Sequence, residues 1–316
     1  MTRRFTRTSQ NPRVNQSATT IGVLGAAGRV RNIQNIQPSV DYKISLDIFI
    51  ISWPGYESRA LEIENSMSEI DGKVHVIYSH GAVDFKPPPH WVVLSDDAFY
   101  GAKFLKSLEL CSGDVMLQIQ ADADCGDWPG LVEKCQSAFA KMPDLGLWAP
   151  LVDWTPWSLS RTSLNKRERG TRHRVSMVDG IVWALGVRAQ HRMRELDYSV
   201  NRFGRGIDLA AASFAMAHSL MAVVDSEIRV THPRGSGYSE TEANAQLQVF
   251  LDQLDSSEKL AQDVIQKLQA ARIREEKRTL HYLANRFYRG VSDPLYRLLK
   301  SLFGNRHSGT NSNPYG

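Results

Sequence analysis

Short apolar blocks separated by stretches of helical rhythm run through the chain from residue 44 onward. Residues 44–51 are dense in β-branched and aromatic side chains and predict a buried strand, which Ser52-Trp53-Pro54-Gly55 breaks. Residues 56–70 carry helical spacing through Leu61, Ile63 and Ile70. Residues 73–78 predict a second strand with Val74, Val76 and Tyr78 on one face, and residues 91–94 a third after Pro87-Pro88-Pro89. Phe99, Phe104, Leu108 and Cys111 form a rough stripe on a helix over 98–111. A strand over 115–120, a helix over 130–141 and a strand over 146–152 follow. Further on, residues 177–185, 221–224 and 227–231 predict strands, 188–196 a short helix, and another helix begins near Asp208. This alternation predicts an α/β fold, a three-layer α/β/α sandwich around a mostly parallel sheet.

Two regions depart from the alternation. Residues 153–174 hold Trp154, Trp157 and many basic and hydroxyl side chains without a period, and predict a long loop, which together with the turn over 233–238 would act as a lid. From 241 to about 284 one long helix or two are expected, with an apolar stripe through Leu247, Phe250, Leu251, Leu254, Leu260, Val264, Ile265 and Leu268. A shorter amphipathic segment over 287–303 interleaves Arg and Lys with Tyr, Leu and Phe around Pro294.

Hydrophobic content of 42% and charge of 23% suit a globular domain that buries a core. No apolar run approaches the ~20 residues that span a bilayer. Cys111, Cys125 and Cys135 lack metal-finger spacing, which points to reduced thiols and a cytoplasmic setting. The net charge of +4 is unevenly spread: residues 1–40 hold six Arg and no acid, and 271–307 are also strongly basic, so the body between is acidic. Basic ends favour anionic partners, a membrane surface before nucleic acid, or else are solvated tails that keep the protein soluble. Gly22, Gly25 and Gly28 imitate a dinucleotide fingerprint but lack the flanking strand and helix that motif requires.

The chemistry collects around Val115-Met116-Leu117-Gln118-Ile119-Gln120-Ala121-Asp122-Ala123-Asp124. A period-two strand ends there in two carboxylates, and ligands of open α/β sheets bind beyond such strand ends. Hard carboxylate oxygens at that place suit a divalent cation, and the cation suits a diphosphate.

The first strand with Ser52-Trp53-Pro54, then Asp122-Ala123-Asp124, Asp179-Gly180-Ile181-Val182-Trp183, Gly206-Ile207-Asp208 and Val230-Thr231-His232-Pro233 occur in the order found in GT-A-fold glycosyltransferases. The chain resembles their large family 2 group over about residues 46–238. That resemblance implies a catalytic domain over 42–240; composition and periodicity set it between a disordered basic extension (1–41) and a helical extension (241–305) with a disordered tail (306–316). It implies a nucleotide-diphosphate sugar as donor and a hydroxyl acceptor (glycan, lipid-linked or protein), with inversion at the sugar. Asp122, Asp124 and His232 would form the site for Mn2+ (or Mg2+), Asp124 as the direct ligand and Asp122 binding the ribose or a metal-bound water. Asp208 would be the general base, with Asp179 its rival. Ser52, Trp53, Pro54, Asp97, Asp122, Lys103 and Arg161 would line the donor side, and Trp154, Trp157 and Trp183 could stack on sugars.

Departures are plain as well. The second strand ends in Tyr78-Ser79-His80 rather than in an acid, leaving Asp84 or Asp96-Asp97 as substitutes, and the Glu-Asp pair before the acceptor helix is reduced to Ile207-Asp208. A nucleotidyltransferase acting on a sugar phosphate is a rival, although Ser52-Trp53-Pro54-Gly55-Tyr56-Glu57 lacks its Gly-rich basic loop. A catalytically inert scaffold that works through its basic ends and C-terminal helices is another. The C-terminal helices are expected to pack on the catalytic domain or pair in a homo-oligomer, with a peripheral membrane contact as the alternative for the segment beyond Pro294.

Overall fold

The computed structural model describes residues 44–79, 85–165, 169–233 and 239–278, with Pro294 and Leu298. The chain divides into Met1–Asp41 and Tyr42–Gly316, and the description concerns the second unit. The basic extension and its glycine cluster, Asp84, the turn over 234–238 and the rest of the 287–316 region lie outside the described residues.

The first half follows the predicted order: β1 (Leu46–Ser52), α1 (Glu57–Ser66), β2 (Lys73–Ser79), β3 (Val92–Leu94), α2 (Tyr100–Leu110), β4 (Val115–Gln120), α3 (Trp128–Lys141) and β5 (Leu145–Val152). Then come α4 (Leu159–Thr162), β6 (Arg172–Val175), β7 (Val182–Gly186), α5 (Val187–Arg194), α6 (Ile207–Ala217), β8 (Met221–Val230), α7 (Glu240–Leu251) and α8 (Ser256–Arg278). The eight strands form one sheet in the order β3-β2-β1-β4-β7-β5-β8-β6. Pairings among β3, β2, β1 and β4 are parallel, as is β5 with β8, whereas β7 and β6 run against their neighbours.

All seven residues of β1 are buried, as a central strand covered on both faces requires. Phe49 and Ile51 join Phe104, Leu108, Trp183 and Ala211 on one face. Ile48 and Ile50 join Ile63, Leu131 and Cys135 on the other. Alternate residues of one strand thus feed two cores, with α2, α5 and α6 on one side of the sheet and α1 and α3 on the other. The sheet is the middle of a three-layer α/β/α sandwich.

The structure corrects several sequence expectations. The 153–174 stretch is not a plain loop: it contains α4 and the edge strand β6. In β6 only Val175 is buried, and its three polar residues erase the alternation that would reveal a strand. Polar side chains are common on sheet edges. Residues 177–181 precede β7 instead of belonging to it. The two strands expected over 221–231 are one, β8, whose pairing with β5 slips between Pro150 and Leu151 and so accommodates Ser226-Glu227-Ile228. On α8, Leu260 and Val264 are exposed, against the expected stripe. Asp255 Oδ1 accepts the backbone N–H of Ser257 and of Glu258 and starts a new helix there. The buried face then runs Glu258, Ala261, Ile265, Gln269, which leaves Leu260 and Val264 about a quarter turn away.

The C-terminal helices pack on the domain, α8 against α6 and α4. Their anchor is ionic. Arg192 of α5 donates Nε and Nη2 to the two oxygens of the fully buried Glu258 at 2.6 and 2.8 Å. Removing one partner of such a pair strands the other charge. Glu258→Ala should lower the unfolding free energy by about 3 kcal/mol, read as a lower urea midpoint, whereas Lys267→Ala on the exposed face should change it by under ~0.5 kcal/mol.

Candidate functional site

Strand direction assembles the site. Ala121 N–H donates to Ile51 O at 2.9 Å, so the chain leaving β4 emerges beside the end of β1. β7 begins at that same edge, where Gln120 donates from its backbone N–H to Ile181 O (3.0 Å) and from Nε2 to Gly180 O (3.2 Å). β8 ends there too: Asp124 and Thr231 exchange backbone hydrogen bonds of 2.8 and 2.9 Å. Segments distant in sequence therefore bring Asp122, Asp179 and His232 to one place.

His232 Nε2 lies 3.1 Å from Asp122 Oδ2. The other oxygen, Asp122 Oδ1, is buried and has no hydrogen-bond partner among the described residues. Asp124 is oriented differently. Its exposed carboxylate pairs with Arg59 of α1 instead of joining His232. Ala123 N–H donates back to Gln120 O at 3.0 Å, closing a turn, so the two carboxylates do not share a face as they would in an extended strand. Of the three residues expected as metal ligands, Asp122 and His232 lie together and Asp124 is turned towards Arg59.

Asp208 and Asp179 form the second cluster. Asp208 sits in the first turn of α6, where its Oδ1 accepts the Leu209 N–H at 2.8 Å. Gly206 begins that helix with φ 82°, and a Cβ there would meet Leu247 Cδ1 at 2.1 Å, so glycine is required on both counts. Loss of water around Asp208, and then the neighbouring Asp179 carboxylate, push its pKa up to about 7. Asp179 is raised by the same loss of water, but the Thr155 hydroxyl, the Ile181 N–H (3.1 Å) and His232 oppose the rise. Gly180, between β7 and α6, carries no side chain that would push Asp208 away: a Cβ would lie 3.5 Å from Asp208 Cβ.

The sequence reading missed the polar ladder behind these carboxyls. Gln118 Nε2 donates to the Tyr100 hydroxyl (2.6 Å), which donates to Gly180 O (3.3 Å). A fully buried Gln on a central strand was the available signal, since such an amide needs partners. Glu57 was missed as well; its carboxylate accepts the Gly55 N–H (2.9 Å) and the Tyr78 hydroxyl (2.8 Å), bracing the turn after β1.

Other expected contacts are differently placed. Lys103 is 2% exposed and donates to Ser52 O at 2.7 Å, 5.5 Å from the Trp53 ring centre, so it lies beneath the Ser52-Trp53-Pro54 turn. Burial lowers its pKa to about 7. Arg161 Nε is bound to Glu276 of α8 at 2.9 Å, and Asp97 is exposed, its carbonyl accepting from Arg202 Nε at 3.3 Å. Trp183 stacks on Phe104 (5.6 Å) in the core and cannot face a sugar, Trp157 is half-buried, and Trp154 is exposed. Among the described residues His218, Asp255 and Glu258 are also close enough to share a cation, yet Arg192 and the Asp255 N–H already occupy the Glu258 oxygens.

No family model and no curated protein sequence matches the chain. Its three-dimensional fold is that of the GT-A glycosyltransferases. It is similar to a crystal structure of GalNAc-T7 with UDP, GalNAc and Mn2+ at a TM-score of 0.50 and 12% identity, over 73% of this chain and 52% of that one. The chain therefore spans about half the length of that relative. A crystal structure of a mycobacterial protein is similar at a TM-score of 0.45 and 11% identity, over 67% of this chain and 76% of that one.

The raised pKa of Asp208 has a consequence for stability. Folding favours its neutral form, so the native state is unpenalised below the ordinary carboxylate range and loses stability as pH rises through about 7. Asp208→Asn keeps the size without the charge and should be more stable than the parent at pH 8, by roughly 2–4 kcal/mol. The gap should shrink to nothing by about pH 4, followed by thermal unfolding across that range.

Proposed function

We propose that this chain is a metal-dependent, inverting glycosyltransferase that moves a sugar from a nucleotide-diphosphate sugar to an acceptor hydroxyl. The observation that carries this reading is Asp122, with one oxygen beside His232 and the other buried without a partner, on the sheet edge that also holds Asp208. A carboxylate and an imidazole form a mixed oxygen–nitrogen donor set, which suits Mn2+ better than Mg2+. The similar fold of GalNAc-T7, whose structure contains UDP and Mn2+, supports the same assignment.

Asp122 and His232 would hold the ion, and a bound ion would supply Lewis-acid stabilisation of the charge that develops on the leaving diphosphate. Trp53, held over Lys103, and the turn after β1 would flank the donor. The acceptor oxygen attacks the anomeric carbon, its proton passes to Asp208, and the bond from that carbon to the diphosphate oxygen breaks on the opposite face. A base with pKa about 7 is half ionised at neutral pH and still basic enough to take the proton. Asp179, tied to Thr155 and the Ile181 N–H, would steer the acceptor and keep the Asp208 pKa high.

Calorimetry with uridine and guanosine diphosphates, with and without Mn2+, tests the donor side. Binding should require the metal and fall at least ~10-fold in Asp122→Ala, but by much less in Asp124→Ala. Equal affinity in chelator would sink the metal reading. In transfer assays Asp208→Asn should lower turnover by ~10²-fold, and the parent rate should climb with pH through about 7.

A further inference from the structure

Tyr100 opens α2 and touches both segments that carry the paired acids. Its hydroxyl donates to Gly180 O at 3.3 Å and accepts from Gln118 Nε2 at 2.6 Å. Its ring lies against Gly204, where a Cβ would come within 2.2 Å of Tyr100 Cδ1, and the next residue, Gly101, donates its N–H to Arg202 O at 3.1 Å. Gly180 follows Asp179 in the turn before β7, and Gly204 belongs to the segment that enters α6 ahead of Asp208. One side chain of α2 thus bears on the backbone on both sides of the two carboxyls.

Packing does not account for the hydroxyl. A phenylalanine would make the same ring contact with Gly204. The polar pair is also incomplete: Gln118 is fully buried, and its Oε1 has no hydrogen-bond partner among the described residues. An apolar pair of similar shape would avoid that desolvation cost. What the hydroxyl adds is direction. Gly180 has no side chain to anchor it and belongs to the residue type with the widest backbone freedom, yet its N–H bonds to the Asp208 carboxylate. Its carbonyl is held from two sides, by the Tyr100 hydroxyl and by Gln120 Nε2 at 3.2 Å. The titratable groups facing Asp208 are Asp179 and Tyr100 itself. Burial raises the pKa of the phenol, which therefore stays a hydrogen-bond donor across neutral pH.

We propose that Tyr100 is a positioning residue for the general base: its hydroxyl fixes Gly180 and its ring fixes the segment entering α6, so that Asp208 and Asp179 keep one mutual arrangement. The role of Asp208 as base rests on the glycosyl-transfer reading, whereas the clamp on Gly180 does not. Tyr100 takes no part in the proton transfer. It narrows the range of positions from which Asp208 meets the acceptor hydroxyl, and such placement bears on turnover more than on binding.

Two variants of the full chain test this. Tyr100→Phe keeps the ring and removes the hydroxyl, and Tyr100→Phe combined with Gln118→Leu also removes the amide left without a partner. Hydrogen exchange read on peptides covering residues 179–181 should speed by about 10-fold in both, with exchange in β1 unchanged. In transfer assays both should lower kcat by about 10-fold, with KM for donor and acceptor within about 2-fold of the parent. The double variant should regain the unfolding midpoint of the parent without regaining turnover. In an Asp208→Asn background Tyr100→Phe should change turnover by less than about 2-fold, because the base that it positions is gone. Parental exchange at 179–181 in Tyr100→Phe, turnover that returns with stability in the double variant, or an equal loss of turnover with and without Asp208→Asn would overturn the positioning role. A parent that transfers no sugar would overturn the glycosyl-transfer reading instead, with the exchange result still deciding whether Tyr100 holds Gly180.

Discussion

β7 lies between β4 and β5 and hydrogen bonds to both in the antiparallel sense, so its first residue sits at the edge where β1, β4, β5 and β8 end. Were it parallel, Asp179 and Gly180 would open at the far side of the sheet. Reversal places the turn before β7 directly against the turn after β4, with Gln120 bonded to Ile181 and Gly180 across the junction. Gly180 then forms the floor beneath Asp208. The Asp122–His232 pair and the Asp179–Asp208 pair are neighbours because one strand runs against the others.

Shared loss of water sets the electrostatics of that junction. It raises Asp208 and Asp179 and lowers Lys103, in each case favouring the neutral form. The two acids are nevertheless treated unequally. Thr155, the Ile181 N–H and His232 all stabilise the Asp179 anion, so the repulsion between the pair falls mainly on Asp208. Two carboxyls of one residue type thereby acquire different proton affinities, the usual basis for dividing acid and base roles.

The sequence was most legible where burial was complete. β1 and β4 have apolar blocks that only a two-sided core explains, and their ends were located to within two residues. Legibility failed where tertiary contacts decide. Nothing local in Arg172-His173-Arg174-Val175 indicates a strand, since its pairing with β8 makes it one. Spacing could not say which of Asp122 and Asp124 meets His232, because that depends on a turn and on Arg59 of α1. Lys103 was legible as a charge near the donor side but not as a support under Trp53, and Glu57 was invisible without Tyr78. The α8 face was misread because the Asp255 cap resets the helical phase.

The bridge between Asp124 and Thr231 joins residues more than a hundred positions apart, and it has a bearing on how the chain is made. β5 has two neighbours in the sheet, β7 and β8, and both are synthesised after it. A nascent chain that has reached only Val152 thus carries a strand with two open sides and a carboxylate turn with no imidazole. Such non-local pairings are slow to form and leave sticky edges meanwhile. The strand that seals β5 is also the strand that delivers His232. A partly made molecule therefore lacks the imidazole for as long as β5 lacks this partner, and the docking of β8 supplies both at once.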